Sequence, residues 1–212
     1  MIDRTPENNH ETRRNNESGC LSNWKDGPMP RIDLLDETTS PILARQYFGS
    51  GDPGPIVAAL ANVPELLAPT IAFVGAALGG GASSNRHKEF AILRTSALLG
   101  CQYCINSHTA VAVDAGLSAA EVRALRGEVP VEEAFTDVAE RALLRWIDAM
   151  AGASGAVPDD IWAAARSWWP DHVLVELSVT IGATMFLNRF ATGFELPTSP
   201  SVLARLDAEG LR

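Results

Sequence analysis

The sequence predicts an all-α fold, a bundle of about seven to nine helices, and three observations carry that prediction. The apolar share, 46% of 212 residues, is built from Ala and Leu with few aromatics, a mix that favours helix over sheet. From Ser40 onward the pattern is helical almost throughout. No segment shows sustained strand alternation bounded by turn signals.

Residues 1–28 are rich in Asn, Glu, Arg and Ser and hold few apolar side chains. Such a segment buries too little surface to order itself, so 1–28 reads as a disordered tail and 29–212 as a single domain long enough to bury a core. Met29 opens what looks like a second beginning, and Cys20 in the tail reads as an incidental exposed thiol. Pro41 suits the first turn of a short helix through Phe48, closed by a Gly-Ser-Gly-Asp-Pro-Gly turn. Two further helices are expected over 55–62 and 64–78, the second ended by the glycines from Gly79 and kinked or broken at Pro69. Ser83 and Ser84 are candidate caps for a helix to about Leu99, stopped by Gly100. On it Phe90, Ile92, Leu93 and Ala97 form a buried stripe with Glu89 at its edge. The next helix starts at Cys101 and ends at Ala115 and Gly116. Ser118 and Glu121 make a capping box for a short helix. Thr136 is expected to cap a helix to about Met150, Pro158 to open one to Trp168, and Pro170 to open a long apolar one to about Phe194.

The formal charge of −9 argues against nucleic acid, whose phosphates it would repel. Three cysteines, two of them one C-x-x-C pair, suit a reducing compartment better than a secreted disulfide framework. The first residues are polar and of mixed charge, unlike a signal peptide, and a cytoplasmic location is the default expectation. The uncharged run from Leu66 to Asn85 is about as long as a membrane span. Pro69 and the glycines Gly75, Gly79, Gly80 and Gly81 make it read as a buried helix followed by a glycine loop.

The chemistry concentrates between Glu89 and His108. If Gly100 breaks the chain and Cys101 starts a helix, then Cys101, Cys104 and His108 share one face. A three-residue helical step brings two Cα atoms to about 5–6 Å, within disulfide range. At a helix N-terminus, free N–H groups and the dipole favour thiolate over thiol. His108, one turn beyond Cys104, could take the thiol proton as general base, and Glu89 could orient the imidazole or complete a relay. Structural zinc is the competing reading, but zinc takes four ligands and Cys101, Cys104 and His108 offer three. Covalent haem would need His directly after the second cysteine, where Ile105 stands. His87 and His172 have no such neighbours and read as packing or surface residues. Of the adjacent Trp168 and Trp169, one is expected in the core and the other at a subunit contact. Asn188 and Arg189 read as a helix-end polar patch, with pocket lining as the alternative.

Glu89, Cys101, Cys104 and His108 match the pattern E-x11-C-x-x-C-x3-H, and the stretch AILRTSALLGCQYCINSHTAVAVDAGLS carries the same punctuation of glycine, cysteine pair, histidine and A-G-L-S. In these features the chain resembles the alkylhydroperoxidase D-like proteins of the carboxymuconolactone decarboxylase superfamily, most strongly over residues 84–127. The resemblance implies an all-α fold assembled as a homotrimer or homohexamer, and reduction of organic hydroperoxides. In it Cys104 would be the attacking thiolate, Cys101 the resolving thiol that forms the disulfide, and Glu89 with His108 the proton relay. No metal, flavin or haem is required for that cycle, so the expected cofactor is none. A dithiol donor such as a lipoyl carrier or a thioredoxin-like protein would reduce the disulfide. Neither nucleic acid nor membrane is an expected partner. The chain departs from the best-studied type at Tyr103, where that type has histidine, and a phenol does not replace an imidazole near neutral pH. Two other readings remain open: a redox-responsive or structural binding protein, and a decarboxylase-like lyase, whose branch lacks the cysteine pair.

Overall fold

The computed structural model describes residues 29–212, so the segment read as a tail, with Cys20, lies outside the described residues. The described residues form ten α-helices and no strand: α1 Pro55–Leu60, α2 Pro64–Leu78, α3 Asn85–Leu98, α4 Gln102–Asp114, α5 Ala119–Leu125, α6 Val131–Ala134, α7 Val138–Ala151, α8 Asp159–Trp168, α9 Asp171–Gly193 and α10 Pro200–Glu209. The all-α class is as expected, and the departures are local. No helix spans 41–48; only a 3₁₀ turn, Arg45–Tyr47, forms there. Asp36 instead accepts the N–H groups of Thr38 and Thr39 at 2.8 Å, and a segment this short gains little from helix formation alone. The one-turn α6 is too short to leave a period in the sequence. Helix α10, started by Ser199 ahead of Pro200, is an addition to the expected helices.

Other boundaries follow their side chains. Ser84 Oγ accepts from the His87 N–H at 3.2 Å, and Ser118 and Glu121 close a reciprocal capping box. Asp137, not Thr136, caps α7, accepting from Ala139 and Glu140 N–H groups at 2.7 and 3.1 Å. A carboxylate also answers the positive end of the helix, which a hydroxyl cannot. Helix α2 continues through Pro69 because Glu65, whose carbonyl loses its partner there, lies exposed where water can replace it. The expectation of a buried helix over this run is overturned: only Leu67 and Ala77 of α2 are buried.

At the centre lies α9, packed against α2, α3, α4 and α7. It is long and apolar enough to cross a membrane by length and composition, but Leu174, Leu177, Ile181 and Ala183 are buried in the bundle. The main cluster joins Leu174, Leu177 and Ile181 to Phe90, Leu93, Leu143, Leu144, Trp146 and Ile147, the leucine, isoleucine and phenylalanine side chains each worth roughly 1.5–3 kcal/mol when buried.

Helix α3, which carries Glu89, is pinned on three sides. Arg94 pairs with Asp148 of α7 at 2.6 Å, and Arg86 reaches both Glu121 and Glu140. Lys88 is buried and meets Glu176 of α9 at 2.7 Å while donating to Ala77 O at 3.0 Å. Glu176 also accepts the Ala82 and Ser83 N–H groups at 2.7 and 3.0 Å, tying the α2–α3 loop onto α9. Gly81 leaves room for that carboxylate, since a Cβ there would stand 2.1 Å from Glu176 Oε1.

Candidate active site

The turn between α3 and α4 explains where the first sulfur sits. Gly100 adopts φ 67°, a left-handed conformation that costs other L-residues about 1–2 kcal/mol. Its N–H bonds Ala97 O at 3.1 Å and the Cys101 N–H bonds Ser96 O at 3.0 Å, the two closures of a Schellman motif. Cys101 is thereby delivered to the N-cap of α4, where its sulfur accepts the Cys104 N–H at 3.4 Å. The sharp turn required for α3 and α4 to be antiparallel neighbours is present.

Both thiols are reduced and buried, with their sulfurs 2.9 Å apart. That is well beyond the roughly 2.05 Å of a disulfide bond and close enough for the two to share a proton. The Cys104 S–H and backbone N–H, working against burial, hold the Cys101 thiol down at about 6. Cys104 is driven well above the ordinary thiol range by the neighbouring Cys101 sulfur and by burial. The resting pair therefore carries one negative charge on Cys101, with Cys104 as its proton donor.

Glu89 is buried on α3, and His108 Nδ1 lies 3.0 and 3.4 Å from its two carboxylate oxygens. A carboxylate only accepts, so Nδ1 carries a proton toward Glu89. Thus the four expected residues form two pairs, Cys101 with Cys104 and Glu89 with His108. No hydrogen bond joins His108 to either sulfur among the described residues. Nor do three His, Cys, Asp or Glu side chains converge there to hold a metal ion.

The thiols lie in an apolar cluster with Ala59, Ala191 and Leu196, flanked by Ile32, Leu34, Ile56, Tyr103, Phe190 and Phe194. Burial first, then the adjacent cysteines, pushes the Tyr103 phenol up to about 12, so it remains a neutral wall of the site. Residues 30–35 run across this cluster. Arg31 anchors them, its N–H bonded to Phe194 O at 3.0 Å and its guanidinium paired with Glu195.

Asn188 and Arg189 part company. Arg189 is exposed, whereas Asn188 is buried, bonded to Ser96, and close enough to both sulfurs to favour their ionisation. Thr192 acts on Cys101 in the same sense. The signal for them was a period: Thr180, Thr184, Asn188 and Thr192 recur every fourth residue along α9. His87 is a packing residue, its ring edge-on to Trp169 at 4.6 Å. Trp169 packs on the core and Trp168 is exposed.

An all-helical bundle with a dithiol at a helix N-terminus and a carboxylate-bound histidine one hairpin away is the class of protein this geometry defines. Residues 64–149 match the carboxymuconolactone decarboxylase family, and the chain shares the fold of alkylhydroperoxidase D-like structures. A Ralstonia eutropha protein described as an uncharacterized peroxidase-related protein with an alkylhydroperoxidase core superposes with TM-score 0.72. It is 18% identical, over 82% of this chain and 95% of its own. An Agrobacterium tumefaciens protein of unknown function, assigned tentative antioxidant-defence naming, is 29% identical over 66% of this chain and 94% of its own, with TM-score 0.59. The same fold appears in a debrominase solved with 2,3,4-tribromopyrrole, TM-score 0.69, 16% identical, over 86% of this chain and 99% of its own. No curated protein matches the chain in sequence.

Proposed function

We propose that the protein is a cytoplasmic thiol-dependent peroxidase that reduces organic hydroperoxides through the Cys101–Cys104 pair. The observation that carries this reading is the buried dithiol with its sulfurs 2.9 Å apart, and the Glu89–His108 pair on the same helical hairpin adds to it. The Cys104 proton passes to Cys101 across that contact, and the Cys104 thiolate attacks the terminal peroxide oxygen. The O–O bond breaks, an S–O bond forms, and the alkoxide leaves as alcohol after taking a proton through the His108–Glu89 relay. Cys101 then attacks the sulfenic sulfur, water departs, and the disulfide forms. Two thiols are oxidised for each hydroperoxide reduced to alcohol and water. A dithiol donor, a lipoyl carrier or a thioredoxin-like protein, returns the pair to the reduced state. The working unit is a homotrimer or homohexamer.

Thiol titration with mass mapping, before and after one equivalent of cumene hydroperoxide, is the direct test. The parent should lose two thiols to a Cys101–Cys104 disulfide. Cys104→Ser should abolish turnover, while Cys101→Ser should react once and stall. Parent-like turnover in both variants would discard this reading in favour of a binding protein whose cysteines are not catalytic.

A further inference from the structure

Every polar group discussed for the reaction comes from one hairpin, yet one buried amide reaches the thiols from elsewhere. Asn188 on α9 is 1% exposed. Its Nδ2 donates to Ser96 Oγ at 3.1 Å, and Ser96 O is the acceptor that holds the Cys101 N–H. The amide is therefore fixed to the same turn that places the first sulfur. Ala191, one turn further along α9, packs with Cys101 and Cys104 in one apolar cluster, so this face of α9 lies against the thiols. Asn188 Oδ1 is buried and has no hydrogen-bond partner among the described residues.

A buried carbonyl oxygen left unpaired is costly, and native proteins keep few of them. A hydroperoxide supplies the missing donor: its terminal oxygen carries the proton, and that same oxygen is the one a thiolate attacks. We propose that Asn188 is a substrate-binding residue of the thiol site, its Oδ1 accepting the O–H of the hydroperoxide so that the terminal oxygen faces the sulfur and the alkoxy group points away. The assignment rests on the peroxidase reading above. As the S–O bond forms and the O–O bond breaks, the terminal O–H becomes the sulfenic hydroxyl and the alkoxide departs as alcohol on a solvent proton delivered through the His108–Glu89 relay, so Asn188 neither gains nor loses a proton. Its amide N–H side, near both sulfurs, supports the thiolate at the same time.

The test compares two oxidants on the reduced full chain: cumene hydroperoxide, which brings an O–H, and dipyridyl disulfide, which brings none. Single-turnover loss of the two thiols is followed in the parent, in Asn188→Ala and in Ser96→Ala. The last removes only the amide's anchor, at a helix position where Ala is well accepted. Asn188→Ala is expected to slow the peroxide reaction roughly 10–100-fold, the range for losing one buried hydrogen bond to substrate, and to change the disulfide reaction much less. Ser96→Ala should show the same selectivity with a smaller loss, and it decides the matter if Asn188→Ala does not fold. Equal slowing with both oxidants, or none with either, overturns the assignment while leaving the peroxidase reading intact. A parent that reacts with dipyridyl disulfide but not with cumene hydroperoxide overturns both.

Discussion

At the residue scale, the two cysteines are chemically unequal although they differ by one helical turn. Cys101 holds the N-cap, receives both the S–H and the N–H of Cys104, and ionises at about 6. Cys104 has the charge of Cys101 beside it and stays protonated. The resemblance makes Cys104 the attacking thiolate, so in the resting state the charge sits on its partner and must cross the 2.9 Å contact before attack. Because the Cys101 group is depressed, its thiolate fraction grows as pH rises through about 6 and is constant above. Thiolate absorbance in the ultraviolet should therefore rise with a midpoint near pH 6. In Cys101→Ser that step should vanish, and Cys104, freed of its neighbour's charge, should titrate closer to an ordinary thiol. A parent with no step below pH 8 (roughly the ordinary thiol value) would show that the pair does not share its proton this way.

At the scale of elements, helix ends decide where the site residues stand. Gly100 ends α3 and hands Cys101 to α4. The end of α9 uses the same closure, with Glu195 N–H on Thr192 O at 3.2 Å and Leu196 N–H on Ala191 O at 2.9 Å. There the left-handed position is held by Glu195, at φ 53°, and its side chain latches Arg31. The backbone cost of a non-glycine there is about 1–2 kcal/mol, against about 0–1 kcal/mol for an exposed ion pair. Glu195→Gly should accordingly stabilise the protein by up to about 1 kcal/mol in urea unfolding. It should also loosen residues 30–35 and speed alkylation of the thiols beneath them. A variant that is less stable than the parent, with thiols no more accessible, would show that the ion pair outweighs the strain.

At the scale of the whole molecule, the outward faces of α2 and α9 stay apolar. Leu66 and Phe73 on α2, and Val175, Val179 and Phe186 on α9, are all exposed. Exposed apolar side chains in this number on two adjoining helices are costly in water and suit association of copies. Phe186→Glu with Val179→Glu should reduce the mass measured by light scattering from three or six chains to one, leaving helix content unchanged. A parent already monomeric at micromolar concentration would remove the oligomer from the proposal.

By itself the sequence determined the helical class, most helix boundaries and the hairpin from Glu89 to His108. Those depend on local rules: capping serines, stop glycines and the three-to-four-residue spacing that puts Cys101, Cys104 and His108 along one helix. Tertiary packing decided the rest. Ser96 and Asn188 meet toward the C-terminal ends of α3 and α9, and Lys88 and Glu176 toward their N-terminal ends, so the two helices run parallel. Only that alignment turns a polar ridge on a distant apolar helix into a wall of the thiol site. Likewise, the exposure of α2 is set by how the helices pack, whereas the charge on Cys101 is set by Cys104 one turn away and Glu89 meets His108 across a single hairpin. Side-chain spacing records what one helix can do; which helix lies across from it is set by how the apolar faces pack together.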